Sequence, residues 1–114
     1  MRDEQAAIIK EMISEVIGIR AVYYLQAAKR QFQDDAPGSA FHSLSEGYGF
    51  IYSLQFTRVP GTDQPYATHE EVESMLADLL DDGPNGLWDV EFSTLDALSE
   101  NIADRFDFTL AEAA

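Results

Sequence analysis

The segment Ser39-Ala-Phe-His-Ser-Leu-Ser-Glu-Gly-Tyr-Gly-Phe-Ile-Tyr-Ser-Leu-Gln-Phe-Thr57 is either a helix or a strand, and the rest of the chain arranges itself accordingly. Its tyrosines and phenylalanines favour a strand by composition. The run Ser43-Leu-Ser-Glu-Gly-Tyr-Gly49, however, lacks the alternation of period two that a half-buried strand requires. The spacing predicts a helix over 39–57, with Ser39 as its N-cap. Gly47 and Gly49 weaken that helix by about 1 kcal/mol each relative to Ala. Phe41, Leu44, Tyr48, Phe50, Ile51, Tyr52, Leu54 and Phe56 make it apolar nearly all round, the pattern of a central, buried helix.

Upstream, residues 3–33 contain no proline and predict one long helix. Ile9, Met12, Ile13, Val16, Ile19, Tyr23 and Ala27 recur at helical spacing, and Ile8, Val22 and Leu25 widen that face. The opposite stripe is narrow: Glu4, Glu11, Ser14, Glu15, Gly18, Gln26, Lys29 and Gln33. Asp3 and Glu4 suit the positive end of the helix, and Lys29 with Arg30 suits its negative end. Asp34-Asp-Ala-Pro-Gly38 is a stop and a turn.

Downstream, Pro60-Gly61 and Pro65 mark a loop over 58–67. Thr68-His-Glu-Glu71 reads as a capping box for a third helix over 69–81, with Val72, Met75, Leu76, Leu79 and Leu80 on its apolar face. Asp82-Gly-Pro-Asn-Gly86 ends it. Leu87, Trp88, Val90 and Phe92 are expected to plug the end of the core. Ser93 or Thr94 is expected to cap a fourth helix over 94–107, carrying Leu95, Leu98, Ile102 and Phe106. Thr109 and Glu112 suit one more capped turn. No internal repeat or low-complexity segment is present.

The expectation is an all-α fold, a four-helix bundle-like arrangement with a long first helix and a buried second helix, forming a single helical domain over 1–114. At 1.5 Å per residue the first helix is about 46 Å long, roughly twice the last two. A closed bundle leaves part of it uncovered. The surplus apolar face must then bend, or be covered by a second copy (a homo-oligomer) or by the rest of a longer chain.

Composition excludes several classes. Of the 114 residues, 46% are hydrophobic, too many for a disordered tail, and no apolar run approaches the length of a transmembrane segment. Without cysteine there is no disulfide scaffold and no thiolate metal site. The formal charge is −14, and it is lopsided. Residues 59–114 hold fourteen acidic side chains against Arg105 alone, whereas 1–58 are nearly balanced. Such a surface repels phosphate backbones, so a nucleic-acid partner is not expected. No apolar targeting segment follows Met1-Arg-Asp-Glu-Gln5, so no signal peptide is read in this chain.

Few residues carry chemistry. His42 and Glu46, spaced i, i+4 on one helix face, are the candidate ligands of a divalent metal, and Ser45, Gly49 and Ser53 continue their stripe. A structural alternative is a helix-start His with a hydrogen-bonded Glu and glycines that permit a close helix crossing. His69 and Glu73 share the spacing but sit near a polar helix start. Asp81 to Phe92 imitates a calcium loop, with Asn85, Gly86 and Asp89 in register. It fails at Gly83 and Phe92, so a helix stop with solvated acids is expected instead. Tyr23, Tyr24, Phe41, Tyr48, Phe50, Tyr52 and Phe56 fit either a ligand pocket or, more commonly, core packing. No nucleophile or base with a third partner is nameable, so no catalytic residue and no cofactor other than a divalent metal is read.

The segment His42-Ser-Leu-Ser-Glu-Gly-Tyr-Gly-Phe-Ile-Tyr-Ser-Leu54 resembles an uncharacterised family of bacterial cell-envelope proteins, a domain of unknown function, in its C-terminal helical part. Leu79 to Val90 and Ile102 to Ala113 are similar to later stretches of the same family. The family looks distantly like imelysin-type envelope proteins with a Gly-x-His-x-x-Glu motif. Here Ala40 stands where that glycine would be, and Glu46 comes one residue late, which weakens any carry-over of a metal or peptidase role. The resemblance implies a periplasmic or envelope location, and a chain that forms the C-terminal portion of a longer protein.

Overall fold

The computed structural model describes residues 3–114, and within them every side chain except those of Asp3, Glu4 and Ala7. The expected acidic pair at the start of the first helix therefore lies outside the described side chains. Five helices follow in order: α1 (Asp3–Gln33), α2 (Pro37–Ser53), α3 (His69–Leu80), α4 (Phe92–Phe106) and the single turn α5 (Leu110–Ala113). Short 3-10 turns cover Leu54–Phe56 and Gly86–Asp89, and no strand occurs among the described residues. The fold is the all-α arrangement the sequence predicts, with α1 running the 48 Å long axis of the molecule.

α1 ends in a Schellman motif. Asp35 takes the left-handed conformation at φ 58°, Asp35 N–H donates to the Phe32 carbonyl, and Ala36 N–H donates to the Gln31 carbonyl at 2.8 Å. This short turn folds α2 back against α1 as a helical hairpin. α2 starts earlier than expected, because Pro37 occupies its first turn, where a missing N–H costs nothing. Ala36 is the N-cap and Ser39 lies inside the helix.

The core is built from Val22 and Leu25 of α1, Leu44, Ile51 and Leu54 of the α2 region, Val72 and Leu79 of α3, and Leu95 and Ile102 of α4, all fully buried. Each such side chain stabilises the fold by about 1.5–3 kcal/mol. α2 buries the stripe Ala40, Ser43, Leu44, Gly47 and Ile51 against its neighbours. Its aromatic surplus does not go inside: Phe41, Tyr48 and Phe50 are half-buried, while Tyr52 and Phe56 are exposed. Gly47 is buried where α2 meets α1, and a Cβ there would sit 3.4 Å from a Leu25 methyl, an ordinary contact, so the crossing does not require glycine. Gly49 faces open space.

The orientation of α1 bears out the sequence expectation for Val22, Leu25 and Ala27, which are buried, and departs from it for the residues before them and for Tyr23. Ser14, Gly18, Ala21, Val22, Leu25 and Ala28 face inward. Ile9, Met12, Ile13, Val16 and Tyr23, expected to be the core face, point out to solvent. The small residues win because they let neighbours approach closely. The Phe106 ring lies over Gly18, and Ser14 Oγ accepts the Arg58 N–H at 3.1 Å. Gln26 and Lys29, placed on the polar stripe, are instead recruited by α4. Lys29 Nζ pairs with Asp96 at 2.8 Å, and Gln26 Nε2 donates to Asp96 and Ser99 at 3.1 and 3.0 Å.

The remaining elements follow their signals more closely. Thr68 and Glu71 form the capping box of α3, and Thr109 with Glu112 forms that of α5. Glu71 also reaches Arg105 of α4 at 3.0 Å, and Arg105 donates to the Tyr66 carbonyl at 3.0 Å. First the Arg105 hydrogen bond and then the Thr68 N–H hold the Glu71 carboxyl down to about 2. α4 begins at Phe92, with Glu91 as its N-cap and no side-chain cap, so Ser93 and Thr94 lie inside it. Val90 is buried and Leu87 packs against the core, but Trp88 and Phe92 stay exposed and do not plug it. Trp88 stacks on Phe41 with centroids 4.6 Å apart.

Candidate functional site

His42 and Glu46 both lie on the exposed side of α2, with Ser45 and Gly49 beside them. Ser45 and Ser53 turn their hydroxyls back onto the carbonyls of Phe41 and Gly49, at 3.0 and 2.9 Å. Glu46, Ser45, Gly49, Phe50 and Ser53 line a shallow, open groove. Among the described residues, no hydrogen bond or ion pair joins His42 to Glu46, and no group of three or more His, Cys, Asp or Glu side chains could hold a metal ion. Two ligands on one helix face, without a third from a neighbour, fall short of the three or four a structural or catalytic metal uses.

The other candidate motifs resolve into local structure. His69 Nε2 lies 3.2 Å from Glu73, and Nδ1 lies 2.8 Å from Gln55 Oε1, on an exposed turn. In the calcium-like loop the acids serve the backbone. Asp89 Oδ2 accepts the Asn85 N–H, and Asp82 Oδ2 accepts the Glu91 N–H, both at 2.8 Å. A Cβ on Gly83 would collide with the Asp89 side chain, so the turn is packed around its own acid. The aromatics do not converge on a single pocket. They form separate pairs, Tyr24 with Phe50, Tyr52 with Phe56 and Tyr66 with Phe106.

What remains is the outward face of α1. Ile8, Ile9, Met12, Ile13 and Val16 are 42–63% exposed on consecutive turns, and Tyr23 extends the line by two further turns. At 100° per residue these positions centre on the side of α1 opposite Ser14, Gly18 and Leu25. Neither α2 nor α4 covers them, because both pack on the inward half of the helix. A row of large aliphatic side chains held in water is the mark of an interaction surface. Sequence reading identified these residues as one face but assigned them to the core. The available signal was the second, small-residue stripe Ser14, Gly18, Ala21 and Ala28 on the same helix.

A helical hairpin of α1 and α2, packed with α3, α4 and the turn α5 and with an apolar line of α1 left exposed, defines a small all-α domain. The chain belongs to a family described as a domain of unknown function, DUF4856, whose family model matches residues 1–109. Comparison with curated proteins and with solved structures finds no match.

Proposed function

We propose that the chain is a helical interaction module that receives an amphipathic helix on the outward face of α1, as part of a bacterial cell-envelope protein. The observation that carries the docking reading is the exposed aliphatic line from Ile8 to Val16 on a helix whose opposite side is buried. In water that line disfavours the isolated chain by about 25 cal/mol for each Å² of apolar surface left uncovered. The envelope location is supported by the resemblance carried by His42 to Leu54. Cell fractionation with the native gene tests it, and recovery in the cytosolic fraction would overturn it.

The docking reading is tested with a photo-crosslinking amino acid at Met12 in cells, with Glu46 as an exposed control on α2. A Met12-specific adduct whose partner peptide is an amphipathic helix is the expected result. No adduct, or equal adducts at both positions, would overturn the reading.

A further inference from the structure

We infer that the helix covering this face is α1 of a second copy of the same chain, aligned in parallel. The inference rests on the docking reading and names its partner.

The spacing of the exposed face is that of a coiled-coil seam. Taking Ile9, Val16 and Tyr23 as a positions puts Met12 and Ile19 at d, so large apolar residues alternate by three and four along the outward side of α1. The exposures follow the same register. Ile9, Met12, Val16 and Tyr23 are exposed and Ile19 is half-buried. The seam narrows at Ile19, which also packs against the chain's own core, and closes beyond Tyr23. Gln26, the next d position, is buried with its amide on α4.

Charge selects the partner and its direction. The flanking g and e positions carry Ile8 and Glu15, and Ile13 and Arg20. In a parallel pair, g of one helix meets e of the next heptad on the other, five residues on. That rule brings Glu15 to Arg20 of the second copy, twice by symmetry, and Ile8 to Ile13. Antiparallel pairing joins g to g and e to e, and makes no such pair. Arg20 is exposed, resting over the Tyr23 ring with its guanidinium carbon 5.9 Å from the centroid.

The rest of the charge distribution tolerates a second copy on this side. α1 is close to neutral, and of the strongly acidic segment 59–114 it is α4 and α5 that pack against it, away from the exposed line Ile9 to Val16. Docking through the outward face keeps the two acidic bodies on opposite sides of the helix pair. Screening over about 8 Å at physiological salt then limits their repulsion.

The test uses the full chain. Light scattering across a concentration series is expected to show a species of twice 12.7 kDa. M12E with V16E is expected to yield a monomer that keeps its helical content, because both side chains are exposed in the isolated chain, and whose melting temperature, unlike that of the native chain, does not rise with protein concentration. E15R and R20E are each expected to weaken dimerisation by about threefold, and the double swap E15R with R20E is expected to restore it. The chain has no cysteine, so Ile9→Cys introduces a single thiol that oxidises to a disulfide-linked dimer only in parallel alignment. A monomer at all concentrations, failure of the charge swap to rescue, or absence of the Ile9→Cys cross-link would overturn the inference. In the Met12 photo-crosslinking experiment, an adduct with α1 supports it. An adduct with a different amphipathic helix overturns the second copy and leaves the docking reading standing, whereas no adduct overturns both.

Discussion

Replacing Gly18 by Ala isolates the contact that sets which way α1 faces. In an exposed helix the change stabilises by about 1 kcal/mol. Here the new Cβ would lie 2.6, 2.7 and 2.8 Å from three carbons of the Phe106 ring. Carbon atoms prefer roughly 3.5–4.0 Å, so the ring has to withdraw by about 1 Å. It has little freedom to do so. The ring stacks on Tyr66 with centroids 3.8 Å apart and planes within 14°, and Phe108 sits 5.9 Å away. Overpacking of this kind costs about 1–3 kcal/mol, which outweighs the gain in helix propensity. The expected net effect of Gly18→Ala is a loss of about 1 kcal/mol, or about 4 °C in melting temperature for a domain of this size. The same substitution made in a Phe106→Leu background should change sign and stabilise, because the colliding ring edge is gone. Thermal and urea unfolding of the four proteins measure the cycle. If Gly18→Ala has the same effect in both backgrounds, Phe106 does not hold α1 in this orientation.

Other expectations follow from single contacts. The Glu71 carboxyl titrates at about 2 in the folded chain, below its ordinary 4.5, so its contribution is complete above pH about 5 and is lost as the pH falls toward 2. Glu71→Gln should therefore cost about 0.2–1 kcal/mol at pH 7, a range limited by the exposure of the pair, and its deficit should shrink as the pH is lowered through that window. A deficit independent of pH would remove the Arg105 pairing as its cause. Lys29→Met removes the cation that, more than any other group, holds the Asp96 carboxyl below its usual range. It should lower the urea midpoint by an amount equivalent to about 0.5–1 kcal/mol with the slope unchanged, and an unchanged midpoint would refute this. Zinc should leave the melting temperature unmoved in the native chain and in His42→Ala alike, since His42 and Glu46 find no third ligand among the described residues. A zinc-dependent rise abolished by His42→Ala would instead establish a metal site there.

Much of the fold was legible from local chemistry. The capping boxes at Thr68 and Thr109, the stop at Asp34 and Asp35, and the proline and glycine loop before α3 act within a few residues of themselves, so the sequence carries them directly. Helical period was equally plain in α1 and α2. The site was less legible. His42 and Glu46 share a helix face by spacing alone, but whether a third ligand joins them depends on what packs beside α2.

The sequence by itself determined that the chain is helical, where its helices begin and end to within a few residues, and that α1 is too long and too apolar for its neighbours to cover. The tertiary structure decided which of the two faces of α1 went inside. Hydrophobicity summed along the helix points to Ile9, Met12, Val16 and Tyr23, but packing is a matter of shape as well as transfer from water. Gly18 and Ser14 admit the Phe106 ring and the Arg58 backbone to close range, while Gln26 and Lys29 satisfy Asp96 and Ser99 on α4. Those partners lie more than forty residues away in the chain, so the inward choice of the small face depends on contacts that only the folded molecule assembles.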